Sequence, residues 1–483
     1  MADQTVQPPR SLRPNAIGLR EVLFQSVTDM APGAAIAASI PAGAAFAGGS
    51  LPLSVVFALV ACLFCAVCIA ELARHLPAAG SLATYAAQGL HEIVGFLVAW
   101  AYVLVGALIP PLVLLQLGFT TAATINSEFA GYPADLWWPW TILGALIVMA
   151  AGLYGIRTSA GLGTVLGVFE IAVFLVLAVL LIAHAGHANT LSVFGTGHTP
   201  AEHRGITGVI AGSVFTILAF GGFEGAAPLA EEARDPRRTI RRAVLGATAG
   251  IGILYIITTY AVDVAYGPDR FATFTSSGAA SWAGLARQFY GLFWFFVFLA
   301  VVNSTIANAN AGVNVASRTA YAMGRIGAFP YRLARVALRH RSPYVAILVV
   351  TAVTIAISLG LGFGYDPVTA FAMVGTGIVI LLVANYIVAN AACLGYFLRR
   401  RRADFNVFLH LVVPILGILA FAPAWLTAAG LPVFSFVSEL TPPISYAGPA
   451  AGVWMVLGLG YVLWLRRRHP QRVADVARVH LED

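Results

Sequence analysis

Twelve long apolar segments follow one another along this 483-residue chain, and they restrict its fold more than any other feature. A membrane-spanning helix needs roughly 20 mostly apolar residues, and every segment except the fourth approaches or exceeds that length. The segments, numbered here as spans 1 to 12, are predicted at residues 22–47, 51–72, 93–119, 139–155, 162–185, 206–229, 242–266, 289–317, 343–361, 370–398, 406–429 and 447–465. The sequence therefore predicts an all-α membrane protein with about 12 transmembrane helices.

The charged residues support this reading and give it an orientation. Only 10% of the residues are charged, whereas soluble domains carry roughly 25%. The net charge of +7 could indicate nucleic acid binding, but all 28 basic residues are arginines and they follow the predicted loops. With the N-terminus in the cytoplasm, only Arg204, Arg270 and Arg287 fall outside, as the positive-inside rule requires. We therefore predict a multi-pass protein of the cytoplasmic (inner or plasma) membrane, with both termini cytoplasmic, a lipid bilayer around it and no nucleic acid partner.

Span 1 carries a helix break in its middle. Pro32 lacks a backbone N–H and clashes with the preceding turn, and Gly33 lowers helix propensity by about 1 kcal/mol relative to alanine. Backbone groups freed by such a break need partners, so the break should line a cavity rather than face lipid.

Span 6 carries a second predicted break, where Gly221, Gly222 and Gly225 surround Glu224. Spans 1 and 6 lie five apart, which is typical of transporters built from inverted five-helix repeats. The half-helix N-termini at such breaks offer free N–H groups to an anionic substrate group. The alternative is that both breaks are ordinary kinks, since Pro and Gly are common in membrane helices.

At these residues the chain resembles the amino acid–polyamine–organocation (APC) superfamily of permeases, in its bacterial amino acid permease branch. Gly33-Ala34-Ala35 is similar to the family's Gly-x-Gly stretch in helix 1, with Ala35 at the second glycine. Gly222-Phe223-Glu224 is similar to its Gly-x-Glu stretch in helix 6. Further similar elements follow spans 2, 6 and 8, at residues 71–85, 231–238 and 317–330.

The resemblance implies a 5+5 inverted-repeat (LeuT-like) fold with broken helices 1 and 6, followed by two C-terminal helices. We accordingly divide the chain into a cytoplasmic N-terminal segment (1–20), a first five-helix repeat (21–200), a second five-helix repeat (201–403), helices 11 and 12 (404–466) and a cytoplasmic C-terminal tail (467–483).

The resemblance also implies where a substrate binds. The α-carboxylate of a substrate would meet backbone N–H groups of helix 1, and its α-amino group would meet carbonyls of helices 1 and 6. The candidate substrate-binding residues are Asp29, Pro32, Gly33, Ala34, Ala35, Phe220, Gly221, Gly222, Phe223 and Asn303.

Acidic residues inside the spans are costly to insert and are functional candidates by default. Glu224, Glu170 and Asp29 are therefore candidates for ion or proton coupling. In several members of the resembled family a lysine near the position of Glu170 replaces a sodium ion, but this chain contains no lysine. The alternatives are structural: Glu224 could cap the second half-helix, Asp29 could accept hydrogen bonds at the break, and Glu170 could be a packed neutral acid. Asp263 and Glu71, near span ends, are expected at the membrane interface.

These observations predict a secondary active transporter that moves an amino acid or related amine by alternating access, coupled to protons or working by exchange. A polyamine or other organic-cation permease is the alternative, with a channel or a membrane enzyme less favoured. We expect H⁺ as the coupling ion, a monomer or homodimer, and no catalytic residue, metal or cofactor.

Overall fold

A computed structural model describes residues 17–78, 80–129, 131–133, 135–154, 160–277, 281–325, 330–337, 342–438 and 440–468. Ten helical stretches in these ranges are long and apolar enough to cross a membrane. The first, Leu19–His75, contains both span 1 and span 2, and the shorter apolar helix Trp138–Tyr154 coincides with span 4. All twelve predicted spans thus lie in helices, and the predicted fold class is confirmed.

The helices begin and end where local chemistry allows. Spans 7 and 10 each begin with a proline, because the first turn of a helix needs no N–H donor. The carboxylate of Asp366 also caps span 10, where it accepts hydrogen bonds from the N–H groups of Val368 and Thr369 at 2.9 Å. Spans 3 and 8 extend several residues past their predicted ends, and span 7 begins several residues before its predicted start. Polar and charged residues end the apolar run but not the helix. Spans 2 to 12 comprise Leu51–His75, Glu92–Glu128, Trp138–Tyr154, Ala160–Ala185, Ile206–Phe220 with Phe223–Leu229, Pro236–Tyr266, Phe293–Arg325, Tyr344–Tyr365, Pro367–Arg399, Phe408–Val412 with Val413–Ala429, and Ala447–Arg468.

The first ten spans pack as two groups of four that are joined by two further helices. Spans 1, 2, 6 and 7 contact one another and form what we call the bundle. Spans 3, 4, 8 and 9 contact one another and form what we call the scaffold. Span 5 packs against spans 1, 7 and 8, and span 10 packs against spans 2, 3, 6 and 9, so each joins the bundle to the scaffold.

These contacts repeat when five is added to, or subtracted from, each span number. Span 1 packs on span 7 as span 6 packs on span 2, and span 5 packs on span 8 as span 10 packs on span 3. Because each half has an odd number of spans, the second half crosses the membrane in the opposite sense to the first. The contacts therefore have the symmetry of an inverted repeat.

Spans 11 and 12 lie outside this symmetric core. Span 11 packs against spans 2, 6 and 10, and span 12 packs against spans 3 and 10. Shorter helices lie in the connections, Ser81–Gly89 after span 2 and Ser281–Tyr290 before span 8. Most of the predicted N-terminal segment 1–20 and of the tail 467–483 lies outside the described residues.

Candidate functional site

Span 1 breaks at Ala31, one residue before the predicted position. The helix Leu19–Met30 ends there, and Ala31 adopts a left-handed conformation with φ of 46°. The helix resumes at Pro32, which needs no N–H donor in a first turn, and widens to a π-helical turn at Ala35–Ser39. A left-handed conformation is strained for alanine. It persists because the chain on both sides is buried and packed.

Span 6 breaks at Gly221 and Gly222, as predicted. The helix Ile206–Phe220 ends there and the chain resumes as a 3₁₀ helix, Phe223–Leu229. Gly222 has a φ of 107°, which a residue with a side chain rarely adopts. A β-carbon at this position would also stand 2.6 Å from the carbonyl carbon of Asp29. Glycine is therefore required here by both conformation and space.

The two breaks are in direct contact. The backbone of Asp29 lies against Gly222, and its carboxylate oxygen Oδ2 lies against Gly225. The hydroxyl of Ser26 donates to the carbonyl of Phe223 and accepts from the N–H of Ala226, each at 2.9 Å. The segment of span 1 before its break is thus joined to the segment of span 6 after its break.

A tyrosine of span 7 touches both breaks at once. The hydroxyl of Tyr255 lies 2.9 Å from the carbonyl oxygen of Ala219 in span 6 and 3.3 Å from that of Met30 in span 1. Both carbonyls belong to last turns, where no intrahelical N–H is available to them. Tyr255 therefore serves carbonyl groups that the two breaks leave without helical partners.

Asp29 is held mainly from within its own helix. Its Oδ1 accepts a hydrogen bond from the amide of Gln25, four residues earlier, at 3.0 Å. Its backbone carbonyl accepts from the amide of Asn308 in span 8 at 2.8 Å. Asn308 lies in span 8, so this helix of the scaffold reaches the break.

Glu224 is held by groups from three elements. Its Oε1 accepts from the hydroxyl of Tyr102 in span 3 at 2.8 Å, and its Oε2 accepts from the hydroxyl of Tyr386 in span 10 at 2.7 Å. Its Oε2 also accepts from the backbone N–H of Gly222 at 3.2 Å. The residue is only 6% exposed, so these hydrogen bonds replace the water that the carboxylate has lost.

Glu170 belongs to a second cluster, formed by spans 1, 5 and 8. It is buried, and its Oε2 accepts from the amide of Asn303 at 3.3 Å. A β-carbon on Gly33 would lie 3.3 Å from the same oxygen, so the carboxylate stands beside the start of the second half of span 1. The buried side chain of Ser304 lies in the same cluster, beside Gly33.

The structure therefore distributes the predicted site residues over two clusters. Asp29, Gly222 and Glu224 lie at the contact between the breaks, and Gly33, Glu170 and Asn303 lie beside the break of span 1. Pro32, Ala34 and Ala35 are buried in the first turns after that break, and Gly221 lies against Leu382 of span 10.

Phe220 and Phe223, two of the candidate substrate-binding residues, are fully buried. The ring of Phe220 meets that of Tyr255 edge to face at 5.2 Å, and the ring of Phe223 lies 5.0 Å from that of Tyr386. Both rings pack against the tyrosines that hold the break of span 6.

Sequence reasoning missed the uncharged polar residues that hold the breaks: Ser26, Tyr102, Gln116, Tyr255 and Tyr386. The amide of Gln116 donates to the carbonyl of Ala34 at 2.8 Å, and the others are described above. A usable signal was present, because a polar group inside an apolar span must find a partner in the protein.

The chemistry of this region favours a cationic or hydrogen-bonding ligand. Three carboxylates lie around the breaks, and residues 22–47 and 206–229 contain no basic side chain. The first turn of the second half of span 1, after the break, offers the N–H groups of Gly33 and Ala34, because the first residues of a helix have no intrahelical acceptor. These N–H groups could bind an anionic group of a ligand, such as a carboxylate, beside the break of span 1.

Two other acids, Asp263 and Glu71, which are expected at the membrane interface, are both buried within the protein. Asp263 is fully buried near the end of span 7, and neither of its carboxylate oxygens has a hydrogen-bond partner among the described residues. Glu71 is 4% exposed, with Arg241 at 3.8 Å and His410 at 3.9 Å.

A cavity of about 790 Å³ lies between spans 3, 10, 11 and 12, away from the contact between the breaks. Its lining is largely apolar, with Asn385, Ser445 and Tyr446 among the few polar side chains. A small charged substrate would find few partners there, so we do not assign the cavity to it.

Comparisons with known proteins agree with this layout. A family model described as amino acid permease matches residues 17–462. The low-affinity putrescine importer PlaP of Escherichia coli (strain K12) is 30% identical over 388 residues, which are 78% of this chain and 80% of that protein. The branched-chain amino acid permease BcaP of Bacillus subtilis (strain 168) is 27% identical over 63% of this chain and 66% of its own length. The histidine permease HisP of Lactococcus lactis subsp. cremoris (strain MG1363) is 27% identical over 66% of each chain.

Proposed function

This chain belongs to the amino acid permease family, and we propose that the contact between its two broken helices is the centre of its transport site. The chain is a secondary transporter of an amino acid or related amine. The observation that carries the proposed site is the direct contact between the breaks, where Asp29 lies against Gly222 and Gly225. Free backbone groups and the partly buried carboxylate of Asp29 meet there.

The division into bundle and scaffold supports alternating access. A substrate held at the breaks of spans 1 and 6 contacts two helices of the bundle, while Asn308 and Tyr102 reach the same breaks from the scaffold. Rocking of the bundle against the scaffold opens the site to one side of the membrane at a time. The substrate and the coupling ion bias that motion through contacts that differ between the two states.

We propose protons as the coupling ion. Glu224 and Glu170 are buried carboxylates whose partners are neutral donors, and Asp29 lies at the contact between the breaks. A carboxyl group in such a place can take up a proton on one side of the membrane and release it on the other. The cluster of Gly33, Glu170 and Asn303 is also suited by its oxygen atoms to a small cation, so sodium is the competing coupling ion.

A second candidate function is import of a diamine. The relative PlaP is named as a putrescine importer, and the three carboxylates around the breaks have no basic side chain in spans 1 and 6 to balance them. A diamine would supply two positive charges to this site. A zwitterionic amino acid would instead use the Gly33 and Ala34 N–H groups for its carboxylate.

The remaining parts of the proposal follow from the sequence. The arginine distribution supports a cytoplasmic-membrane protein with both termini in the cytoplasm. The family and its named relatives are transporters, and we propose no enzymatic activity. The functional unit is proposed to be a monomer or a homodimer.

The test is transport by the purified full chain in liposomes. Labelled putrescine, leucine and histidine are offered under an imposed pH gradient, an imposed sodium gradient or neither, with protein-free liposomes as the blank. We expect saturable accumulation of at least one compound driven by the pH gradient. Accumulation driven only by sodium would overturn the proton assignment.

Site variants then locate the activity. Asp29→Asn removes a charge at the contact between the breaks, and we expect at least a tenfold loss of uptake. Asp269→Asn, at a carboxylate that is 91% exposed, is the matched control and should retain uptake. Equal uptake by both variants would contradict the proposed site.

A further inference from the structure

The cavity of about 790 Å³ between spans 3, 10, 11 and 12 extends from a membrane surface to the middle of the membrane. One end lies at the connection between spans 11 and 12, where Ser445 and Tyr446 line it. The other end reaches residues 380–385, in the middle of span 10, and Ala101 of span 3. Its lining on span 12 covers residues 448–455, which is about 10 Å at 1.5 Å per residue.

The polarity of the lining changes along this length. Among the described residues, no charged side chain lines the cavity, and Ser445 and Tyr446 place hydroxyl groups at the end near the membrane surface. The amide of Asn385, at the deep end, donates to the carbonyl of Val98 at 3.4 Å, and the lining between the two ends is apolar. A bilayer has the same order, with polar headgroups at its surface and hydrocarbon inside.

Glycines face the open space of the cavity. A β-carbon added at Gly430 or at Gly452 would meet no atom within 4 Å. Small residues between membrane helices usually let the helices approach closely, but these two leave room for another molecule. An apolar cavity attracts no water, and the atoms that line it gain dispersion energy only from an apolar occupant. The acyl chains of the surrounding bilayer are the apolar groups within reach.

We propose that a membrane phospholipid inserts one acyl chain into this cavity. Its headgroup lies at the connection between spans 11 and 12, beside Ser445 and Tyr446, and its chain passes Gly452 toward Leu381 in span 10. On the proposed orientation, with both termini in the cytoplasm, the lipid belongs to the outer leaflet. The site is separate from the contact between the breaks and does not depend on which substrate is transported.

The lining favours a phospholipid over a free fatty acid. A fatty acid offers the same chain but carries a carboxylate at its end, and no basic side chain is present among the lining residues to bind that charge. The bound chain contacts span 10, which joins the bundle to the scaffold, and also spans 11 and 12, which lie outside the symmetric core. The lipid thus becomes part of the packing between the core and the last two spans.

The experiment maps where an acyl chain contacts the full chain in liposomes. The probe is phosphatidylcholine with a diazirine near the end of one acyl chain, mixed at a low fraction into unlabelled phosphatidylcholine, and mass spectrometry locates the label after irradiation. We expect label on residues 380–385, because Leu381 is 2% exposed and is not reached by lipids at the protein surface. Leu419, which is 62% exposed on span 11, reports surface lipids and should be labelled in every variant.

Gly452→Phe fills the cavity and should lower the labelling of residues 380–385 at least fivefold. The matched control is Gly460→Phe in the same helix, where a β-carbon also meets no atom within 4 Å but the residue does not line the cavity. This control should be labelled like the unaltered protein. Equal labelling of residues 380–385 in the two variants, or no label there in the unaltered protein, would overturn the proposal.

Thermal unfolding in detergent gives a second measurement that does not depend on labelling. A ligand that binds only the folded protein raises its Tm, so phosphatidylcholine should raise the Tm of the unaltered protein and of Gly460→Phe by about 2 °C or more. The Tm of Gly452→Phe should not respond, and a response equal to that of Gly460→Phe would contradict the site. If a diazirine fatty acid labels residues 380–385 and excess phosphatidylcholine does not displace it, the occupant is a free fatty acid and the phospholipid assignment is wrong.

Discussion

The two helix breaks occupy equivalent positions in the two repeats, but they are stabilised in different ways. The break of span 1 is a single left-handed alanine followed by proline, and its acid, Asp29, is held by Gln25 of the same helix. The break of span 6 needs two glycines, and its acid, Glu224, is held by side chains 122 and 162 residues away in sequence. Local chemistry dominates the first break and tertiary contacts dominate the second.

This difference indicates which break can respond to protonation. A hydrogen bond within one helix moves with that helix and carries no information to its neighbours. Hydrogen bonds from spans 3 and 10 to Glu224 link separate elements, so their loss changes how those elements move. The contrast between a locally held acid and a remotely held acid can be tested at both breaks.

The largest effect is expected from Gly222→Val, since valine is strained at a φ of 107° and its β-carbon would stand 2.6 Å from the carbonyl carbon of Asp29. We expect a loss of roughly 3 kcal/mol or more of stability and no measurable uptake. Gly33→Ala is the counterpart at the other break, where the new β-carbon meets its nearest neighbours at 3.1 Å. Thermal unfolding should show a clearly smaller loss for Gly33→Ala, and equal losses would contradict the contrast.

Exchanging each acid for its amide comes next. Glu224→Gln should abolish the stimulation of uptake by a pH gradient, because the group that takes up the proton is gone. Asp29→Asn should lower uptake, but a pH gradient should still stimulate the uptake that remains. The ratio of the initial uptake rates with and without the pH gradient measures the stimulation in each variant. Loss of stimulation in Asp29→Asn but not in Glu224→Gln would assign the proton to Asp29 instead of Glu224.

Ser26→Ala removes the hydroxyl that joins span 1 to the break of span 6 and leaves the carbonyl of Phe223 and the N–H of Ala226 unpaired. Buried groups without partners cost about 1–3 kcal/mol, so we expect a loss of about 2 kcal/mol by thermal unfolding. Ser192→Ala, at an exposed serine, is the control. An effect no larger than that of the control would mean that the breaks are held together by other contacts.

A smaller loss, about 1 kcal/mol, is expected for Tyr255→Phe. This change removes the hydroxyl that lies against the carbonyls of Ala219 and Met30, and the edge-to-face contact of its ring with Phe220 remains. Because the hydroxyl reaches both breaks, the variant should also alter substrate exchange. Unchanged stability and exchange would show that neither carbonyl depends on it.

The smallest effect is expected from Gln25→Ala. Its amide makes a partly buried hydrogen bond to Asp29 within one helix, and such pairs contribute about 0.2–0.5 kcal/mol. Uptake should fall less than twofold, and its pH dependence should not change. A change in pH dependence as large as that of Glu224→Gln would show that Asp29 responds to protonation as Glu224 does.

The sequence by itself determined the number of spans, their approximate limits and the presence of both breaks. These properties depend on hydropathy over about 20 residues and on proline and glycine in the backbone, which are local quantities. It also identified Asp29, Glu170 and Glu224, because a carboxylate in an apolar span is conspicuous in any context.

Only the tertiary structure decided which groups hold those acids. Tyr102 and Tyr386 are ordinary tyrosines in apolar segments, and nothing near them in sequence indicates that both donate to Glu224. Likewise, nothing in the sequence indicates that Glu170 lies in a cluster with Gly33 and Asn303, apart from the cluster at Glu224. Hydrogen bonds between distant segments depend on how helices pack against one another, and the packing of twelve helices is a property of the whole chain.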